Sequence, residues 1–432
     1  MSRIIFLLFA IWFLILPFSA ISSIYFNVAG LAIDKAIAPV LIIIWLVLLL
    51  TGNYTLEKKK LLLLVNVFIF FMVRNVSFID NATVYSELIW RDAILFGYFA
   101  LPILYIDNIK RVDSAGRLIS VNAVVGCVSA FLVALSLIEL PYERFSESRI
   151  GIENIQKSIG VITAYGDVAQ LAAFFLLLGF FMPDKVLPFG KIPQKLIKVS
   201  VLLIVIMGLI GNQSRSYLLS LIFAYCTALF FSYRAKKPEN TLLIDIIATI
   251  MAVFIIPIML FMLNDIVSSL ASLGGREAMG SAGARLGQYE AAFTLIREYP
   301  ILGVDSDFYI RNAGFAHGVH NLWLGQLTRG GIISTLILLI LVINIFMKCV
   351  ALFKTDSAEG YAKVLIGYLA AVFISTLFYP ADSDIFWALF GMATSIIYVL
   401  HGSKNEVVNE SVEAVPAVNN QNYRIIPKRI NR

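Results

Sequence analysis

The sequence predicts an all-α, polytopic integral membrane protein of about twelve transmembrane helices, with one large outer loop that carries an amphipathic helix. Three observations predict it. First, 59% of the 432 residues are hydrophobic and only 14% are charged, a balance foreign to soluble globules. Second, the apolar residues gather in runs of about 18 to 25, each long enough to cross a bilayer as a helix. Third, the lysines fall almost entirely in alternate connectors, as the positive-inside rule requires of a multi-pass chain.

The runs lie near 4–23, 31–50, 61–79, 86–105, 118–138, 159–182, 196–211, 216–233, 242–263, 331–350, 362–379 and 385–401. Backbone polar groups have no partner in lipid, so each run should be helical. The first, with Arg3 before it and Ser19-Ala20 at its end, has the look of a signal peptide. Eleven further spans behind it favour an uncleaved first helix. With the N-terminus inside, Lys58-Lys59-Lys60, Lys110, Lys185, Lys191, Lys195, Lys198, Lys236, Lys237, Lys348, Lys354, Lys363, Lys404 and Lys428 are all cytoplasmic, while Lys35 and Lys157 lie outside or near the outer ends. The count is therefore even and both termini are cytoplasmic. The chain divides into helices 1–9 (residues 1–263), an outer loop (264–330), helices 10–12 (331–401) and a polar tail read as disordered (402–432). Cys127, Cys226 and Cys349 sit in or beside helices, which implies no disulfide framework. The net charge of +6 comes from inner connectors and tail, so it reports topology and gives no reason to expect nucleic-acid binding.

Unlike the lysines, many arginines fall outside or within the membrane. They either snorkel and pair locally or supply the rigid cationic forks that phosphate recognition asks for. In the outer loop, "RLGQYEAAFTLIREYP" spaces Leu286, Tyr289, Phe293 and Ile296 three and four apart, which predicts an amphipathic helix. Ser281 or a nearby glycine would start it and Pro300 end it. Arg285 and Tyr289 then share a face near its N-terminus, where free N–H groups already favour anions. Alternatively the helix lies on the membrane with its arginines among headgroups. In "GNQSRSYLL" a tight hairpin holds Arg215 where the chain re-enters the membrane, and Arg91-Asp92 is a further polar mark. Adjacent residues pair poorly on a helix, so these two should have other partners. Two of the three histidines, His317 and His320, occupy the loop stretch "FAHGVHNLWLGQLTRGG", while His401 ends the last helix.

This last stretch resembles the His-Asn/Ser-x-x-Leu then Gly segment of the O-antigen ligase and O-antigen polymerase family. "RLGQYEAAFTLIREYPILGVDSDF" resembles its Arg…Pro-x-x-Gly segment and "QSRSYLL" its Ser-Arg hairpin, in the family's order. The likeness is detailed over 211–334 and loose elsewhere. Asp305 and Ser334 stand where the family often has glycine. The resemblance implies glycan transfer from an undecaprenyl-diphosphate carrier to an acceptor hydroxyl on the periplasmic face of a bacterial inner membrane. The resemblance leaves the acceptor open between a lipid A core (ligase), a growing glycan repeat (polymerase) and a protein side chain, and the motifs do not separate them. Residue by residue it implies His320 as general base, with Arg215 and Arg285 stabilising the diphosphate. Arg91, His317, Tyr289 and Asn321 become candidates for substrate contact, and no cofactor or metal is expected.

Two rival readings follow from other residues. Asp305/Asp307 and Asp382/Asp384 form Asp-x-Asp pairs of the kind that hold divalent cations, although such residues also cap and turn loops. Twelve helices with intramembrane charge also suit a transporter, yet the distinctive polar residues gather in a loop rather than midway along spans.

Overall fold

The computed structural model describes residues 3–16, 27–28, 31–79, 82–134, 165–182, 215–235, 279–304, 319, 321–355, 358–378 and 383–413. Eleven α-helices run through these residues: α1 (Arg3–Ile15), α2 (Ile33–Leu50), α3 (Lys58–Val73), α4 (Ala82–Tyr105), α5 (Ile109–Ala134), α6 (Tyr165–Phe181), α7 (Arg215–Ala235), α8 (Met279–Glu298), α9 (Leu322–Leu352), α10 (Glu359–Phe378) and α11 (Asp384–Glu413). A 3₁₀ turn, Val76–Phe78, follows α3. One departure from an all-α chain is the antiparallel pairing of Asn27–Val28 with Leu31–Ala32. By length and composition, α2, α3 with its 3₁₀ turn, α4, α9, α10 and α11 can cross a membrane, six in all among the described residues. Helices also stand at the predicted runs 118–138, 159–182 and 216–233, whereas 196–211 and 242–263 lie outside the described residues.

Burial identifies the solvent. The two most apolar of the six long helices, α2 and α9, are the least buried, at 22% and 28% of an apolar 18-residue stretch, while the corresponding stretch of α11 is 83% buried. Water would make that distribution very costly; hydrocarbon makes it natural. On α9 the exposed stripe Leu336, Ile340, Ile343 and Met347 recurs at three and four residues, the face a helix offers to lipid. This is a multi-pass membrane protein.

Interior packing is aromatic. Trp387 of α11 is fully buried and its ring meets Phe71 at 4.8 Å, Phe70 at 5.9 Å, Phe99 at 6.1 Å and Phe390 at 6.1 Å, locking α3, α4 and α11 together. At the lysine-rich end, three successive carbonyls at the end of α4 are met by side chains. Leu104 O accepts from Tyr54 Oη (3.1 Å), Tyr105 O from Arg111 Nη1 (3.1 Å), and Ile106 O from both Lys60 Nζ (3.2 Å) and Ser395 Oγ (2.9 Å). Two cations at a helix C-terminus also oppose its dipole. Burial first, then the nearby Asp107 carboxylate, pushes the Tyr54 phenol up to about 12, so it stays a donor.

Three boundaries differ from expectation. The α9 helix begins at Leu322, inside the predicted loop 264–330, because Asn321 caps it. The helix expected to start at Ser281 or a nearby glycine starts at Met279. The α11 helix continues to Glu413, into the predicted disordered tail.

Candidate functional site

Helices α7 and α10 pack antiparallel. Ser232 Oγ donates to Glu359 Oε1 at 3.2 Å near one end, and Phe223 packs against Ala370 and Ile374 further along. This register brings Arg215, the first residue of α7, level with the last turn of α10. Asn321 reaches the same level. Its Nδ2 donates to Leu377 O (3.1 Å), while its Oδ1 accepts from Leu324 N (3.0 Å) as the N-cap of α9. Val319, on the other side of His320, is buried against Ala292 and Leu295 of α8. The chain is therefore anchored immediately before and after His320. His317 and His320 themselves lie outside the described residues, as do Asp305, Asp307 and Asp382.

The remaining candidates divide. Arg285 stands more than one turn inside α8, past the free N–H groups of its N-terminus, so the helix-end argument for an anion there does not hold. The predicted face of α8 is also displaced. Gln288, Ala292 and Leu295 are buried, Phe293 is exposed, and Tyr289 packs beside Ala292 at the edge of that face. Arg91 on α4 is exposed and brings its charge towards Asp384, which also lies 3.7 Å from Lys35 Nζ. Asp384, half of one Asp-x-Asp pair, thus faces two cations. Asp92 turns the other way, as adjacent helix positions must, and its partner is Arg74.

That pair centres a buried polar knot which residue patterns did not reveal. Arg74 and Asp92 are both fully buried. The guanidinium donates twice to the carboxylate, through Nε to Oδ2 at 2.5 Å and through Nη2 to Oδ1. Asn75 Nδ2 donates to Asp92 Oδ2 (2.7 Å), and Arg329 Nη2 donates to Asn75 Oδ1 (2.7 Å) while lying 3.6 Å from Asp92 Oδ2. The Arg74 guanidinium rests over the rings of Phe71 (4.8 Å) and Phe70 (5.6 Å). The signal available in sequence was Asp92's need of a partner; which arginine met it was decided by packing.

Beside the knot α9 breaks. Gly331 has φ 62° and ψ −166°, a conformation essentially confined to glycine, and a Cβ there would fall on the Ile301 carbonyl. The groups freed by the break are re-paired. Ile332 N donates to Pro300 O (2.9 Å), Ile333 N to Ile301 O (3.5 Å), Val304 N to Thr328 O (2.8 Å) and Ser77 Oγ to Arg329 O (3.3 Å). Gly303, at φ 70°, lets the turn come this close to the backbone of Thr328 and Arg329. The Pro-x-x-Gly and Arg-Gly-Gly stretches thus interlock main chain to main chain. Buried Ser334 shares this corner, its Oγ 3.5 Å from Gly331 O.

Between α7, α9 and α10 lies a cavity of about 540 Å³, walled by apolar side chains including Phe223, Phe230, Trp323, Leu338 and Phe373. Its upper wall, Leu322 and Trp323, directly follows Asn321. Among the described residues no three His, Cys, Asp or Glu side chains gather as a metal centre would require.

No curated protein matches the chain. Residues 200–339, which include α7, α8, the turn at Pro300–Gly303, the His320 segment and the break in α9, match the family model described as O-antigen ligase. Over residues 200–339, about a third of its length, the chain is similar to the O-antigen ligase family.

Proposed function

We propose that this chain is a glycosyltransferase of the bacterial inner membrane, with both termini cytoplasmic and its active site periplasmic. It moves a glycan from an undecaprenyl-diphosphate carrier to an acceptor hydroxyl, in the manner of an O-antigen ligase with a lipid A core as acceptor. The carrying observation is the convergence of the Arg215 helix start and the chain flanking His320 at one end of the α7–α10 pair, with an apolar cavity directly beside them. In this reading the carrier's isoprenoid chain enters that cavity and its diphosphate sits at the helix ends.

In the transfer, the acceptor oxygen forms a bond to the anomeric carbon as that carbon's bond to the phosphate oxygen breaks. The diphosphate leaves with the electron pair, and His320 takes the acceptor's proton; a positioned base contributes about 10² to 10⁴ in rate. Arg215 and Arg285 offset the charge developing on the leaving group, a role worth about 10² to 10³ per well-placed donor. His317 and Arg91 contact the acceptor or phosphate. The arginines take the place of a metal ion, so chelators leave turnover unchanged.

The test compares purified, equally folded variants. His320→Ala should lower turnover by about 10² or more while donor binding holds, and Arg215→Lys and Arg285→Lys should both lose activity because the fork geometry is lost. Normal turnover in His320→Ala would remove the base. Products of a deletion strain decide the acceptor class: complete chains stranded on the carrier indicate a ligase, and single repeat units on the acceptor a polymerase.

A further inference from the structure

We infer that Asp92 is a positioning residue for the reacting segment, acting on it through Arg329 and the half of α9 that precedes Gly331; the inference rests on the reading of His320 as the base. Asp92 lies in α4, outside the residues matched to the family model.

The half-helix Leu322–Gly330 is a short rod with two fixed ends. At one end Asn321 binds Leu377 O, and His320 is the next residue back along the chain. At the other, Arg329 is tied twice to the connector between α3 and α4, by its side chain to Asn75 Oδ1 (2.7 Å) and by its carbonyl to Ser77 Oγ (3.3 Å). The break at Gly331 removes the helical continuity that would otherwise set the rod's direction. Its rotation is therefore set by the Val304 N to Thr328 O bond together with the point at which the Arg329 guanidinium is held.

Asp92 does the holding because its charge is shared. Arg74 occupies both carboxylate oxygens and cannot shift, since it is fully buried beneath Phe70 and Phe71. Asn75 binds the same Oδ2 and passes its own oxygen to Arg329, which stands 3.6 Å from that Oδ2. Two guanidinium groups thus converge on one anion. Without the carboxylate Arg329 loses the anion that draws it to this point, and, being on the separable half-helix, it shifts. A displacement of about 1 Å at the far end of the rod is enough to cost about 10²-fold in rate.

Asp92→Asn alone leaves a buried guanidinium uncompensated and risks misfolding. Two double variants avoid this. Arg74→Met with Asp92→Leu removes the pair as a unit, and Arg74→Asp with Asp92→Arg restores a pair but turns a cation towards Arg329. Both are assayed as full-length protein in detergent, with undecaprenyl diphosphate for binding and an undecaprenyl-diphosphate oligosaccharide for turnover. Expected are protein yield, undecaprenyl diphosphate affinity and donor KM within about twofold of the unmodified chain, and kcat lowered at least about tenfold. Normal kcat in either double variant overturns the inference, as does a fall of yield, binding and kcat together. If neither double variant accumulates, Arg329→Met reads the same link, with the same loss of kcat expected and normal kcat again fatal. His320→Ala is run alongside. If it is inactive while the Asp92 variants are normal, only the positioning role fails; if it is active, the base assignment fails whatever Asp92 does.

Discussion

At the scale of residues, Asn321 changes meaning between sequence and structure. Its place beside His320 suggested substrate contact, yet both its polar groups are used internally, one capping α9 and one gripping Leu377 O. Asn321→Ala should cost about 1 kcal/mol of stability, the usual worth of an N-cap, and should lower kcat more than donor affinity. Asn321→Asp keeps the capping oxygen but loses the donor to Leu377, so its stability should lie between the two while its kcat stays low. Thermal unfolding and steady-state kinetics on the same preparations separate these effects; full activity in Asn321→Asp would show that the bond to α10 does not matter.

At the scale of elements, the break in α9 predicts different outcomes for two similar substitutions six residues apart: Gly331 at the kink and Gly325 in the regular half-helix. Gly331→Ala forces a side chain into a backbone region that costs about 1 to 3 kcal/mol, with the Ile301 carbonyl in its path. It should lower the unfolding temperature and turnover together, because the turn Pro300–Gly303 loses its seat. Gly325→Ala meets open space in regular helix, where alanine is favoured by up to about 1 kcal/mol. It should leave the unfolding temperature unchanged or raise it. Equal effects at the two positions would contradict the broken-helix geometry.

At the scale of the whole molecule, the lysine distribution predicts which side each connector faces. A reporter active only outside the cytoplasm should be active when fused near Gly283 and inactive near Lys191, Lys236 or the C-terminus. An active C-terminal fusion would imply an odd number of spans and would put His320 on the cytoplasmic side.

What was legible in the chain follows from the physics of its solvent. Lipid demands long apolar runs with internally satisfied backbones, so α2, α4, α10 and α11 could be read as helices directly from composition. The motif residues stood out because chemistry needs particular groups, histidine and arginine, in a polar loop. Local patterns were less secure where packing competes with periodicity. On α8 the buried face runs through Gln288 and Ala292 rather than Phe293, because Val319 returns against small residues there. The glycines at 303 and 331 carry no hint in sequence of which carbonyls they admit. The partner of Asp92 was equally hidden, since Arg74 and Arg329 are brought to it from 18 and more than 200 positions away. Composition and spacing therefore determined the membrane class and the helices at the described apolar runs, and they named the candidate groups. Only tertiary structure decided which charges meet, because a buried ion pair is selected by the three-dimensional approach of its partners and not by their distance along the chain.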